Sequence, residues 1–193
     1  ATRSLPAEFL PPRLSRLTLY YLRSAVLLQA VLQGGPATLS ELNLDQIASG
    51  LPLDGLARLS TLRTLSVRSS PGVQLTALPP ALSTLRLEGV GLVGEALQGA
   101  DGVTALHIKD CDVDGALQLP APGRVRSLEL EGLGLLALPT GTLLQPDLTR
   151  LSLTRNRLVA LPESIWTLAN LETLLLSDNR LIALPSTIGQ LVG

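Results

Sequence analysis

The chain has 193 residues and a formal net charge of −1, with a pI near 5.8, so nothing in its charge balance calls for a nucleic-acid partner. About a quarter of it is leucine, aromatic residues are 2% and methionine is absent, which excludes a core filled by varied large side chains. Stacked, repeated layers are the packing that leucine alone can fill, because each layer repeats the contacts of the last.

Arginine carries nearly all the positive charge, with Lys109 the only lysine, and alanine, glycine and proline are abundant, as in proteins from GC-rich genomes. No run of 18 apolar residues occurs, so no membrane span is expected. Cys111 is the single cysteine, so no disulfide can close within the chain. The cysteine-rich caps common on extracellular repeat arrays are therefore not expected, and the domain reads as a cytoplasmic type.

In chain order, the segment over 1–13, which holds Leu5-Pro6, reads as the tail of a preceding repeat or a cap. Eight copies of the phrase aliphatic-x-x-Leu-x-aliphatic follow. The leucine at its centre falls at Leu17, Leu42, Leu65, Leu85, Leu106, Leu128, Leu151 and Leu174, at spacings of 25, 23, 20, 21, 22, 23 and 23 residues. These set expected repeats of 14–38, 39–61, 62–81, 82–102, 103–124, 125–147, 148–170 and 171–193, together one domain over 1–193. Alternation within Leu-x-Leu predicts a short strand in each, with every second side chain in the core.

The return segments differ. Ser24 to Gln33 has room for about two helical turns before Gly34-Gly35-Pro36 ends them. The returns at Leu78-Pro79-Pro80 and Leu119-Pro120-Ala121-Pro122 are short and proline-rich, so extended or 3₁₀ backbone is expected. Aliphatic residues after each turn, such as Leu92, Val113, Leu135, Leu158 and Leu181, re-enter the core. The last two returns begin at Leu161-Pro162 and Leu184-Pro185 and continue through Ile165 and Leu168, then Ile188 and Leu191. The next repeat would open at position 194, so the chain is expected to be a fragment of a longer protein.

The period and phrase are the signature of the leucine-rich repeat. That resemblance implies an α/β solenoid: a horseshoe with a concave parallel sheet and short helical, 3₁₀ or extended convex returns. Asparagine usually follows the strand, where its amide satisfies turn backbone. Here that column reads Leu22, Ile47, Ser70, Val90, Cys111, Leu133, Asn156 and Asn179. Only the last two repeats keep the amide, so the other six are expected to satisfy their turns through backbone or water, with a less regular spine.

No catalytic constellation, metal site or cofactor site is expected. Cys111 falls in the buried turn column, where cysteine acts as a small hydrophobe rather than a nucleophile. His107 is the only histidine, and no second histidine or thiol converges on it to hold a metal. Gly89-Val90-Gly91 and Gly132-Leu133-Gly134 fit tight turns rather than a phosphate loop.

The outward strand positions carry the information. Arg68, Arg86, Glu88, His107, Lys109, Asp110, Glu129 and Glu131 concentrate mixed charge in the middle of the sheet, with Arg155 beyond them and Tyr20 and Tyr21 near one end. Mixed charge on a rigid concave face suits selective protein recognition and disfavours a phosphate backbone or an acidic membrane. These eleven residues are the candidate protein-binding set.

Leu148 to Leu191 resembles the Leu-Pro type of cytoplasmic leucine-rich repeat of plant intracellular proteins and injected bacterial effectors. The stretch Leu78-Pro79-Pro80-Ala81-Leu82-Ser83-Thr84-Leu85-Arg86-Leu87 resembles the 20-residue repeats of bacterial effector E3 ubiquitin ligases. The resemblance implies a type III secreted effector acting inside a host cell. Its repeats would be a non-catalytic module that recruits a host protein through the concave face. The alternative is the repeat domain of an effector ligase serving as scaffold or autoinhibitory lid, in contact with another domain of its parent chain. The ligase's catalytic cysteine belongs to a helical domain outside the repeats, so that role does not transfer to Cys111. As a fragment the chain is expected to be monomeric.

Overall fold

In a computed structural model, described over residues 10–186 and 189 apart from 52, 76, 94–95, 98–99 and 121–122, the chain is a stack of parallel-stranded turns. Leu5-Pro6, Ala121, Pro122, Ile188 and Leu191 lie outside the described residues. Nine strands occur among the described residues: β1 Arg16–Tyr20, β2 Glu41–Asp45, β3 Thr64–Leu75, β4 Thr84–Val93, β5 Ala105–Lys109, β6 Asp112–Asp114, β7 Ser127–Glu131, β8 Arg150–Ser152 and β9 Thr173–Leu175. They form one open sheet in the order β1-β2-β3-β4-β5-β7-β8-β9, with β6 paired to β4.

The register follows the leucines. Leu17, Leu42, Leu65, Leu85, Leu106, Leu128, Leu151 and Leu174 stand opposite one another strand by strand. A slip of one residue would turn a whole row of leucines to solvent, which fixes the pairing. The six inner members are fully buried. Leu17 and Leu174 are only half-buried, because each has a packing neighbour on one side of the described stack.

On the opposite side, α1 spans Ala25–Gly34 and buries Leu28, Val31 and Leu32. Ser24 caps it by accepting from the Val26 N–H at 3.3 Å. The Gly35 N–H closes it on Val31 O before Pro36 leads the chain away. The next return, a 3₁₀ turn at Asp54–Arg58, packs so closely on α1 that a β-carbon at Gly55 would press on the Leu32 side chain. Further 3₁₀ turns lie at Thr142–Leu144 and Glu163–Thr167. The described parts of the two proline-rich returns contain no helix, as their composition dictates.

Turn chemistry departs from expectation in one respect. Asn156 and Asn179 do form the ladder: Asn156 Oδ1 accepts from the N–H groups of Leu133 and Leu135, and its Nδ2 donates to Leu130 O at 2.7 Å and Leu153 O at 2.8 Å. Asn179 repeats the pattern one layer on, from Leu158 N–H to Leu176 O. The other six positions were expected to rely on backbone or water, yet two use their side chains. Ser70 Oγ accepts from Ile47 N–H and donates to Arg68 O, and Cys111 Sγ donates to Lys109 O. A hydroxyl or thiol is large enough to reach one turn carbonyl, as the amide does. At Val90 no such group exists, and the backbone compensates. There β3 and β4 run on past the turn, longer than expected, and β6 joins them, pairing Leu75 with Leu92 and Leu92 with Val113.

The residue just before each ladder position takes a left-handed backbone. Tyr21, Gln46, Ser69, Asp110, Arg155 and Asp178 have φ between 46° and 59°, and Gly89 and Gly132 fill the same slot at 61° and 64°. This turn lifts the chain out of the sheet in every repeat, and only two repeats use the residue that does so without strain. A further feature had no sequence signal. Gln145 is fully buried, donating to Pro120 O and Gly141 O and accepting from Val125 N–H, so one side chain ties two returns together.

Candidate functional site

The parallel register sets the outward side chains in rows. Ser66, Arg86, His107, Glu129 and Ser152 form one row, and Asp45, Arg68, Glu88, Lys109 and Glu131 form the next. Neighbours in a row are one strand spacing apart, about 4.8 Å, close enough for opposite charges to pair.

They do pair. Arg68 and Lys109 both reach Glu88, each at 3.4 Å, so one carboxylate sits between two cations on adjacent strands. His107 Nδ1 lies 2.7 Å from Glu129 Oε2. Glu131 accepts from the Ser152 hydroxyl at 2.8 Å. Among the described residues Arg86 makes no ion pair, and Glu131 has no cationic partner. Together Arg68, Arg86, Glu88, His107, Lys109, Glu129 and Glu131 line a concave pocket of about 210 Å³ floored by Leu87 and Ile108.

Seven of the eleven candidate residues thus meet in one pocket. The other four stand apart. Tyr20 and Tyr21 are about two-thirds exposed on and just after β1, three strands from β4, and the Tyr21 hydroxyl accepts from Gln46. Asp110 and Arg155 sit at left-handed turn positions and pair with each other at 3.1 Å.

Sequence reading missed two contributors. Ser152 is almost fully buried at the end of its outward row, where its hydroxyl donates to Glu131, and no composition signal marks a buried serine on an outward column. Asp45 Oδ1 is buried with no hydrogen-bond partner among the described residues, between Tyr20 and Arg68 in the register. The row pattern itself was the available signal for Asp45, since it places an acid beside an arginine.

Farther along the sheet Glu41 accepts from Asn43 and from Arg16 at 2.7 Å, and these donors, Asn43 foremost, hold its carboxyl below the usual range. Burial pushes the Cys111 thiol up, away from the thiolate needed for nucleophilic chemistry. Among the described residues no cluster of three or more His, Cys, Asp or Glu could hold a metal ion, and no helix is long and apolar enough to cross a membrane.

Residues 123–181 match the leucine rich repeat family model. No curated protein sequence matches the chain. Among solved structures, an LRR protein of Leptospira interrogans is similar at 23% identity and a TM-score of 0.62, over 93% of this chain and 53% of that one. An internalin of Listeria monocytogenes is similar at 16% identity and a TM-score of 0.61, over 85% and 54%. The ectodomain of the Arabidopsis thaliana receptor kinase GASSHO1/SCHENGEN3, in complex with Casparian strip integrity factor 2, is similar at 16% identity and a TM-score of 0.62, over 93% and 26%. The chain spans about half the length of the first and second, and about a quarter of the third. The fold is that of a leucine-rich repeat horseshoe.

Proposed function

We propose that this chain is a non-catalytic protein-binding module that recruits its target through the concave face of the sheet. The observation that carries the reading is the central pocket, where a rigid parallel sheet presents Arg86 and Glu131 as open charges of opposite sign among neighbours that are already paired. Two strand spacings, about 10 Å, separate them across the sheet. A partner that answers both charges gains orientation as well as affinity, and a uniformly charged polymer cannot answer both. A repeat ectodomain of the same fold, from the receptor kinase GASSHO1/SCHENGEN3, is known in complex with Casparian strip integrity factor 2.

The finer setting is a bacterial effector, with this module as its substrate-recognition part and a host protein as its target. The resemblance of Leu78–Leu87 and Leu148–Leu191 to effector repeats supports it. Affinity capture from host-cell lysate tests the reading, with the chain set beside a variant carrying Arg68→Ala, Arg86→Ala, Glu88→Ala and Glu131→Ala. These side chains are at the surface, so thermal stability should stay within about 1 kcal/mol. A protein held by the parent chain and lost by the variant is the expected result. Equal capture by both would overturn the concave-face assignment, and capture by neither would transfer the contacts to another domain of the parent protein.

A further inference from the structure

Three exposed aliphatic side chains recur at one place in three successive repeats: Leu136, Val159 and Ile182, 72%, 45% and 85% exposed. Each directly follows a core leucine (Leu135, Leu158, Leu181), so alternation turns it away from the interior. The backbone between them is laced together. The Arg157 N–H donates to Leu135 O, the Arg180 N–H to Leu158 O, both at 2.9 Å, and the Ile182 N–H to Val159 O at 3.2 Å. The three side chains therefore stand about 5 Å apart in a continuous ridge on the flank of the stack, between the concave strands and the returns. Single exposed leucines are ordinary, whereas an ordered apolar row is the signature of a contact surface.

Two neighbouring features say what would cover it. Immediately downstream in the chain, Leu138, Pro139, Leu143, Leu144 and Leu161 line an apolar groove of about 470 Å³, with Leu144 exposed at its lip. Two residues before Val159 and Ile182 on the same alternation stand Arg157 and Arg180, both exposed. Neither makes an ion pair or a side-chain hydrogen bond among the described residues. The surface is apolar, grooved and edged with uncompensated positive charge.

We propose that this flank docks an acidic amphipathic α-helix from a partner protein, at a site separate from the concave face. A helix lying along the stack advances 5.4 Å per turn, which matches the repeat spacing of about 5 Å. Apolar residues at i, i+4 and i+7 would meet the ridge one per repeat. Carboxylates beside that stripe would meet Arg157 and Arg180. A second copy of this chain fits less well, because a twofold apposition would bring two copies each of Arg157 and Arg180 into one interface. A flat anionic membrane would leave the groove unfilled.

Fluorescence anisotropy with two dye-labelled, capped helical peptides of about 14 residues tests this. Both carry leucine at i, i+4, i+7 and i+11; one has flanking glutamates and the other flanking lysines. The glutamate peptide should bind and the lysine peptide should bind at least about tenfold more weakly. Binding should fall at least about tenfold in Val159→Ser/Ile182→Ser and several-fold in Arg157→Gln/Arg180→Gln. It should be unchanged in the fourfold concave variant, which separates this surface from the one under Proposed function. The four flank positions are exposed, and far-UV circular dichroism melts check that every variant folds. Equal binding of the two peptides, or a glutamate peptide indifferent to Val159→Ser/Ile182→Ser, would overturn the proposal. So would concentration-dependent self-association, or sedimentation with phosphatidylserine vesicles, that those two serines abolish, because the flank would then be a homodimer or lipid surface.

Discussion

Asp110 and Arg155 are two layers apart in the sheet, yet their side chains meet at 3.1 Å. The layer between them makes this possible. Its residue at the same turn position is Gly132, and a β-carbon there would overlap Asp110 Oδ1. The glycine serves two purposes: it takes a φ of 64° without strain, and it leaves a seat for the carboxylate.

Gly132→Ala should therefore cost more than loss of the ion pair alone. The left-handed backbone contributes about 1–2 kcal/mol, and displacement of Asp110 adds to it. Arg155→Gln, by contrast, should cost less than about 1 kcal/mol, since the pair is substantially exposed. Urea unfolding of both variants gives the comparison. A smaller loss for Gly132→Ala than for Arg155→Gln would show that the carboxylate needs no seat.

The asparagine ladder gives a sharper contrast. Leucine stands at the Asn156 position in two other repeats, at Leu22 and Leu133, so Asn156→Leu introduces a residue the column already tolerates. Here, however, Leu133 N–H, Leu135 N–H, Leu130 O and Leu153 O are built around the amide. Stranding several buried groups should cost about 3 kcal/mol or more. A loss under about 1 kcal/mol in equilibrium unfolding would mean that water replaces the amide freely.

What could be read from the chain, and what could not, divides along physical lines. Leu17 through Leu174 announced the register, because a row of identical side chains has one way to stay buried. Gly89 and Gly132 marked tight turns, but Tyr21, Gln46 and Arg155 share their left-handed backbone with no local signal, since the stacked turns impose it. Rows of opposite charge made His107–Glu129 and Arg68–Glu88 legible as neighbours. Which charges stay unpaired was not legible: Glu88 captures both Arg68 and Lys109, and that choice depends on side-chain reach. Leu136, Val159 and Ile182 repeat as regularly as the core, so spacing alone could not tell a buried column from an exposed one.

Position in the stack should set the cost of opening the core. Leu128 is fully buried with a layer on either side, and Leu128→Ala should lose roughly 2–5 kcal/mol through the cavity it leaves. Leu17 occupies the same register position on β1 but is half-buried, so Leu17→Ala should lose less than about 2 kcal/mol. Thermal melts of the two variants report the difference. Equal losses would mean that the β1 end is packed as completely as the middle.

Glu41 supplies the pH dependence. Hydrogen bonds from Asn43 and then Arg16 favour its charged form, so its carboxyl in the folded chain titrates below the usual carboxylate range. The unfolded chain then holds the extra proton in that interval, and stability rises with pH across it. The contribution is complete above the unfolded carboxylate value and is lost as the pH falls through the lower folded value. Glu41→Gln removes the titrating group, so the variant's melting temperature should fall less than the parent's between about pH 5 and pH 3. Arg16→Gln should flatten the same limb only in part, because Asn43 still donates to Glu41. Parallel acid limbs for Glu41→Gln and the parent would show that Arg16 and Asn43 hold the carboxyl no better than water does.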